Sequence, residues 1–178
     1  LHSFPTRRSS DLDLGGQELI IHELPRGTHY VVREAAVDGY TTVAEDDSGI
    51  IASNRIQEVS FTNTYYAEAR VSLQAHKTLN GRALKRYQFR GELYDSEDNL
   101  LRVATNGADG SITFGAIRYT QADARVEPYV YKIRETQRDL SGYTYDNREY
   151  RAYVTVTDNG NGTLSTSVRY ENENNETV

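Results

Sequence analysis

From residue 17 onward the sequence runs in short apolar and polar alternations, broken by turn residues about every 8–12 positions. A period of two puts residues i, i+2 and i+4 on one face of a strand, and such frequent punctuation excludes helices longer than a turn or two. The pattern predicts an all-β chain of antiparallel strands closed into a sandwich or barrel. Expected strands are 17–24, 29–34, 40–43 and 56–64, then 71–79, 87–94, 100–105, 111–114, 128–135, 150–157 and 163–170. The turns are written in Gly, Asn, Asp and Pro, among them Pro25-Arg26-Gly27, Asp46-Asp47-Ser48-Gly49 and Asp158-Asn159-Gly160-Asn161-Gly162. Segments 84–86 and 120–124 are expected to hold short helical turns.

A length of 178 residues suits one large domain or two small ones. The net charge of −6, with no basic block, argues against nucleic acid or an anionic membrane as partner. Cys, Met and Trp are absent, which excludes disulfides, zinc-thiolate sites and a cysteine nucleophile. The lack of Met reads as an internal piece of a longer reading frame. Tyr, with 14 copies, supplies much of the apolar surface. No stretch approaches the roughly 20 apolar residues of a membrane span.

Residues 1–12 share neither the alternation nor the punctuation. The string HSFPTRRSSDL (2–12) resembles the translation of a sequencing adapter, so 1–12 is read as a non-native scar. Within the remainder there is an echo. Tyr30-Val31-Val32-Arg33-Glu34 followed by Gly39-Tyr40-Thr41 returns as Tyr131-Lys132-Ile133-Arg134-Glu135 followed by Gly142-Tyr143-Thr144, one domain length later. Two copies of one domain type are expected, 13–67 and 68–178, joined where one strand runs into the next near 66–70.

Parity picks out the reactive candidates. In 71–79 the apolar row is Val71, Leu73, Ala75, Leu79, and Lys77 sits within it. In 129–135 the row Tyr129, Tyr131, Ile133 ends in Glu135; in the first copy Tyr30 and Val32 lead to Glu34, and Val59 and Phe61 lead to Asn63. Charges on a buried face must be neutralised or paired. A buried lysine beside a buried glutamate can exist as neutral amine and neutral acid, and a neutral amine is a nucleophile. With an asparagine amide between them, the amine can attack its carbon, ammonia leaves, and an amide cross-link remains. The alternative is a lysine that snorkels to water and a strand-end glutamate that is simply solvated.

These residues lie in motifs that resemble a known family. LPRGTHYVVRE (24–34), GYTT (39–42) and FTN (61–63) resemble the collagen-adhesin B-type repeat of Gram-positive surface proteins. HKTLNGRAL (76–84), YQFRGEL (87–93), NGADGSITF (106–114), YVYKIRE (129–135), GYTYD (142–146) and DNGNG (158–162) resemble the streptococcal pilin isopeptide-linkage domain. The resemblance implies tandem Ig-like β-sandwiches that serve as stalk modules of adhesins and pilins, tied by a spontaneous Lys–Asn isopeptide bond. Carried over, Lys77 is the nucleophile and Glu135 the catalytic acid of the second copy; Glu34 is the acid and Asn63 the acceptor of the first. No cofactor is expected, and no turnover enzyme, since the bond forms once per molecule. The expected location is the cell wall or cell surface, and the expected partners are neighbouring domains of the same surface protein.

Some features depart from the family pattern. Lys77 precedes Glu135 by 58 residues, and the same spacing before Glu34 falls upstream of residue 1. The first sandwich is thus expected to lack its N-terminal half and the second its last strand, so that no correct bond forms within this piece. A truncated sandwich is expected to be weakly stable and to dimerise through its open edge. Asn172, Asn174 and Asn175 read as turn residues. His2, His22, His29 and His76 show no metal-ligand spacing, and the acidic turns 45–49 and 95–99 lack the ligand set of a calcium loop. Two other classes stay open: an adhesin module gripping host matrix protein or glycan with its loops, and a carbohydrate-active enzyme carrying these domains as appendages.

Overall fold

The computed structural model describes residues 21–53, 55–136 and 141–178. Within them the protein is all-β: eleven strands and a single 3-10 turn, Gln121–Asp123. It divides into two compact units, the first built from the described residues of 21–35 and Val43–Thr62, the second from Ala36–Thr42 and those of Asn63–Val178.

In the first unit β1 (His29–Val31) pairs antiparallel with β3 (Ser48–Ile50), in the register Tyr30 opposite Gly49. The ring of Tyr30 lies so close over Gly49 that a Cβ there would come within 2.9 Å of the tyrosine oxygen, and its hydroxyl donates to the Asp46 carbonyl. The turn chemistry of Asp46-Asp47-Ser48-Gly49 predicts a turn through Ser48-Gly49, where the structure has β3 instead. The strand expected after Gly27 runs to residue 34, whereas β1 ends at Val31. The expected row Tyr30, Val32, Glu34 is therefore not a buried face: Val32 is 37% exposed and Glu34 is exposed. The expected strand 17–24 falls partly outside the described residues, as does the segment 1–12; Ile21–Leu24 is irregular and exposed. Strand β2 (Tyr40–Glu45) pairs with β4 (Ser60–Tyr65).

The second unit is a sandwich. One layer is a five-stranded antiparallel sheet of order β11-β10-β9-β6-β7, made of β6 (Arg90–Tyr94), β7 (Leu100–Thr105), β9 (Arg125–Glu135), β10 (Tyr150–Asp158) and β11 (Leu164–Glu171). The other is the antiparallel pair β5 (Glu68–His76) and β8 (Ser111–Thr120). Alternation explains the core between them: Val71 and Leu73 from β5, Ile112, Phe114 and Tyr119 from β8, Leu93 from β6, Tyr131 and Ile133 from β9, and Ala152, Val154 and Val156 from β10. Two tyrosines are admitted to this core because their hydroxyls satisfy each other, Tyr119 and Tyr131 lying 2.7 Å apart. Burial pushes both phenols above the usual tyrosine value.

The expected strand 111–114 continues six residues further. Between Ser72 and Gln74 the β5–β8 register shifts, and Gly115 opposite it takes φ +78°. The inserted residue moves the inward row from Ile112 and Phe114 to Ile117 and Tyr119. The alternation breaks there, which is why the sequence reading stopped. Residues 84–86, expected to be helical, are irregular.

Two edges matter for the site. Among the described residues β5 has no ladder partner opposite β8; a parallel bridge joins Glu68 to Thr163, and the Tyr170 hydroxyl accepts from Gln74 N–H at 3.0 Å. Strand β11 ends its sheet, and its inward-row Val168 is 38% exposed.

Candidate functional site

Lys77 follows β5 directly, and its backbone N–H donates to Gly110 O at 2.8 Å. Gly110 has φ +90°, and a Cβ there would collide with the Lys77 carbonyl, so glycine sets this approach. The odd row of β5 continues through Lys77 and aims its side chain inward. Glu135 ends β9 on the other layer, opposite Gly91 of β6. The two side chains meet across the sandwich: Nζ lies 2.8 Å from Oε1 and 3.0 Å from Oε2, with side-chain exposures of 15% and 10%.

The oxygens of Glu135 are not equivalent. Oε2 accepts from Nζ and, at 2.8 Å, from the backbone N–H of Asp146. Oε1 is close enough to Nζ for charge attraction, but hydrogen-bond geometry is met only toward Oε2, and Oε1 is left buried without a hydrogen-bond partner.

Beneath the amine lies Phe89, 1% exposed, with Nζ 4.6 Å from its ring centre. Tyr143 and Tyr145 set their rings edge-on to Phe89 at 5.7 and 6.0 Å. Phe89 is held by Asn106, a fully buried side chain. Its Oδ1 accepts from Phe89 N–H at 2.8 Å, and its Nδ2 donates to Lys85 O at 2.9 Å and Gly107 O at 2.7 Å. The sequence predicts a turn over 106–110; the turn falls at 108–109, and Asn106 leads into it with a side chain that turns inward, for which the sequence carries no signal.

Asp146 belongs to a tight clasp. Its carboxylate accepts from Arg148 N at 3.0 Å, Nε at 2.8 Å and Nη2 at 2.7 Å. The Arg148 guanidinium holds the carboxyl at about 2, below its ordinary 3.8. An ionised carboxylate is a poor electrophile, so Asp146 steers the site with its amide rather than reacting in it. An open pocket of about 310 Å³, lined by Arg134, Glu135, Asp146, Asn147, Arg148 and Glu149, reaches Glu135 from solvent.

The other candidates lie elsewhere. Asn63 is on β4, where its Oδ1 accepts from the Thr42 hydroxyl at 2.6 Å. Glu34 follows β1 in irregular chain. Asn172 organises a turn, its Oδ1 accepting from the backbone of Asn174 and Glu176, both at 3.0 Å, and Asn175 has φ +61°.

Residues 73–178 match the model of the Spy0128-like isopeptide containing domain, FctA. The chain belongs to this isopeptide-containing family. It is a pilin-type structural module of a surface protein. Residues 11–65 match a second family, DUF7601, described as a domain of unknown function; that match begins two residues before Asp13. No curated protein matches the chain. Among the described residues, no helix of this isopeptide-family chain is long and apolar enough to cross a membrane.

Proposed function

We propose that the second unit is a covalently locked stalk module in which Lys77 is the nucleophile, Glu135 the proton acceptor and donor, and an asparagine carboxamide the electrophile. The observation that carries this is the buried Lys77–Glu135 contact at 2.8 and 3.0 Å, bridging the two layers over Phe89. The chemistry balances without a cofactor. A proton passes from Nζ to the Glu135 carboxylate, and the free amine attacks the carboxamide carbon. The new N–C bond forms, the old C–N bond breaks, and ammonia leaves with the proton as ammonium, restoring the carboxylate. Each molecule reacts once, so this is not turnover catalysis.

The open edge of β5 beside Lys77 supports delivery of the asparagine on an added strand. The residue order expected of such a strand is that of β4, with Phe61, Asn63 and Tyr65 in one row. By the same reading Glu34 and Asn63 are acid and acceptor of the preceding module. The cross-link would let the module carry tension and resist proteases at the surface of a Gram-positive cell, between neighbouring domains of one protein.

The test is intact mass. The chain is incubated with a nonapeptide copying residues 58–66, EVSFTNTYY. The expected product is chain plus peptide minus one ammonia, mapped by digestion to Lys77 and lost in Glu135→Ala. A Lys77 that stays unmodified would overturn the proposal. In the chain incubated alone, a deficit of one ammonia at Lys77 would support the chemistry and place the acceptor within these residues.

A further inference from the structure

Among the described residues two buried side-chain atoms stand without a hydrogen-bond partner, Glu135 Oε1 and the Tyr145 hydroxyl. A buried polar group normally has a partner, so each orphan calls for a reason. One is on the partner of the Lys77 amine and the other on a ring packed against Phe89, which supports that amine. Oε1 lies 2.8 Å from Nζ. Tyr145 packs edge-on against Phe89, the ring that supports Nζ at 4.6 Å. It also immediately precedes Asp146, whose N–H binds Glu135 Oε2 at 2.8 Å. One orphan is an acceptor and the other is a hydroxyl able to donate.

A carboxamide carries the complement of both: its NH2 donates and its carbonyl oxygen accepts. A carboxylate only accepts, so it would bring Oε1 no hydrogen-bond donor and would set a second anion beside the Lys77–Glu135 ion pair. We propose that Tyr145 polarises the carbonyl of the acceptor amide, while Glu135 Oε1 accepts from its NH2 and so disfavours aspartate as cross-linking partner. This rests on the isopeptide reading above. The hydroxyl donates to the carbonyl oxygen and holds the negative charge that grows there as the Nζ–C bond forms. It keeps its own proton, while the proton that leaves with ammonia comes through Glu135. Phe89 has no hydroxyl, and the Tyr143 hydroxyl is already held by Gln88 Nε2, from which it accepts at 2.9 Å.

The experiment compares the full chain with Tyr145→Phe, each given the 58–66 peptide and its counterpart with Asp in the place of Asn63, with rates read by intact mass. Losing one preorganised donor to a developing oxyanion slows such reactions by about 100-fold. That loss is expected with the Asn peptide, with the preference for Asn over Asp kept, because a hydroxyl donor serves the carbonyl oxygen of either side chain. Thermal unfolding of the free chains gives a second, independent reading. Because the hydroxyl is unpartnered before the acceptor arrives, Tyr145→Phe is expected to unfold at the same or a higher temperature. An unchanged rate in Tyr145→Phe, with the parent chain reacting, would overturn the role of Tyr145 alone. So would a lowered midpoint, by showing that the hydroxyl has a partner in the free chain. No reaction in the parent chain would remove the isopeptide reading and this inference together.

Discussion

Replacing Lys77 and Glu135 separately and together tests why a charged pair is kept inside this sandwich. The side chains are only 15% and 10% exposed, with Nζ 2.8 Å from Oε1, so each neutralises the other in a medium that screens poorly. Lys77→Met leaves the Glu135 carboxylate without its countercharge. Glu135→Gln leaves the ammonium over Phe89 with only an amide to face. Removing one partner of a buried pair costs about 3–5 kcal/mol. For a unit of this size that lowers the unfolding midpoint by on the order of 10 °C. In Lys77→Met/Glu135→Gln no charge remains buried, and the Gln carbonyl can still accept from Asp146 N–H. The double variant is expected within about 1 kcal/mol of the parent, because desolvation offsets most of what a buried ion pair gains. The assay is urea unfolding at neutral pH, followed by far-UV circular dichroism and tyrosine fluorescence, there being no tryptophan. A double variant as unstable as the single ones would refute the reasoning. It would show the pair to be a net source of stability, with no need of a chemical role to explain its presence.

Three other outcomes are expected. Asn106→Ala removes three hydrogen bonds from a fully buried side chain, and at about 1 kcal/mol each it should lower stability by about 3 kcal/mol in the same urea assay. Asp146 sits at about 2 in the folded chain against 3.8, so its contribution is full above pH 4 and lost as pH falls toward 2; Asp146→Asn should flatten stability in that window of an acid titration. Gly115→Ala forces a Cβ into φ +78° at the bulge and should cost about 1 kcal/mol by thermal unfolding, while alanine at the neighbouring Ala116 position is already native.

The legibility of this chain followed side-chain parity. Strand β7 falls on the residues expected, 100–105, because its bounding turns are strongly written. Lys77 and Glu135 stood out because each broke an apolar row that does face the core. Where parity itself shifts, the reading failed. One glycine at 115 turns an even row into an odd one, and the second half of β8 vanished from view. Ser48–Ile50 was lost for the opposite reason: a ladder of three pairs is too short to outweigh the turn chemistry of Asp46-Asp47 before it. The supports of the site were the least visible. The Asp146 donor is a backbone amide and carries no residue signature, and Asn106 looks like any turn asparagine until its inward side chain is seen. In the first unit the Tyr30, Val32, Glu34 row reads like its echo at 131–135, but β1 ends at Val31 and the row leaves the ladder.

The amine and the carboxyl stand on opposite layers, 58 residues apart along the chain. No local segment can bring them together; they meet only after both sheets have formed and closed on each other. Chemistry between them is therefore licensed by completed assembly. Under the proposed cross-link, a misfolded molecule would keep its amine and carboxyl apart and stay open to proteases, whereas a folded one would make its closure permanent. With the proposed bond, the pair would serve as a quality checkpoint that writes a successful fold into covalent memory.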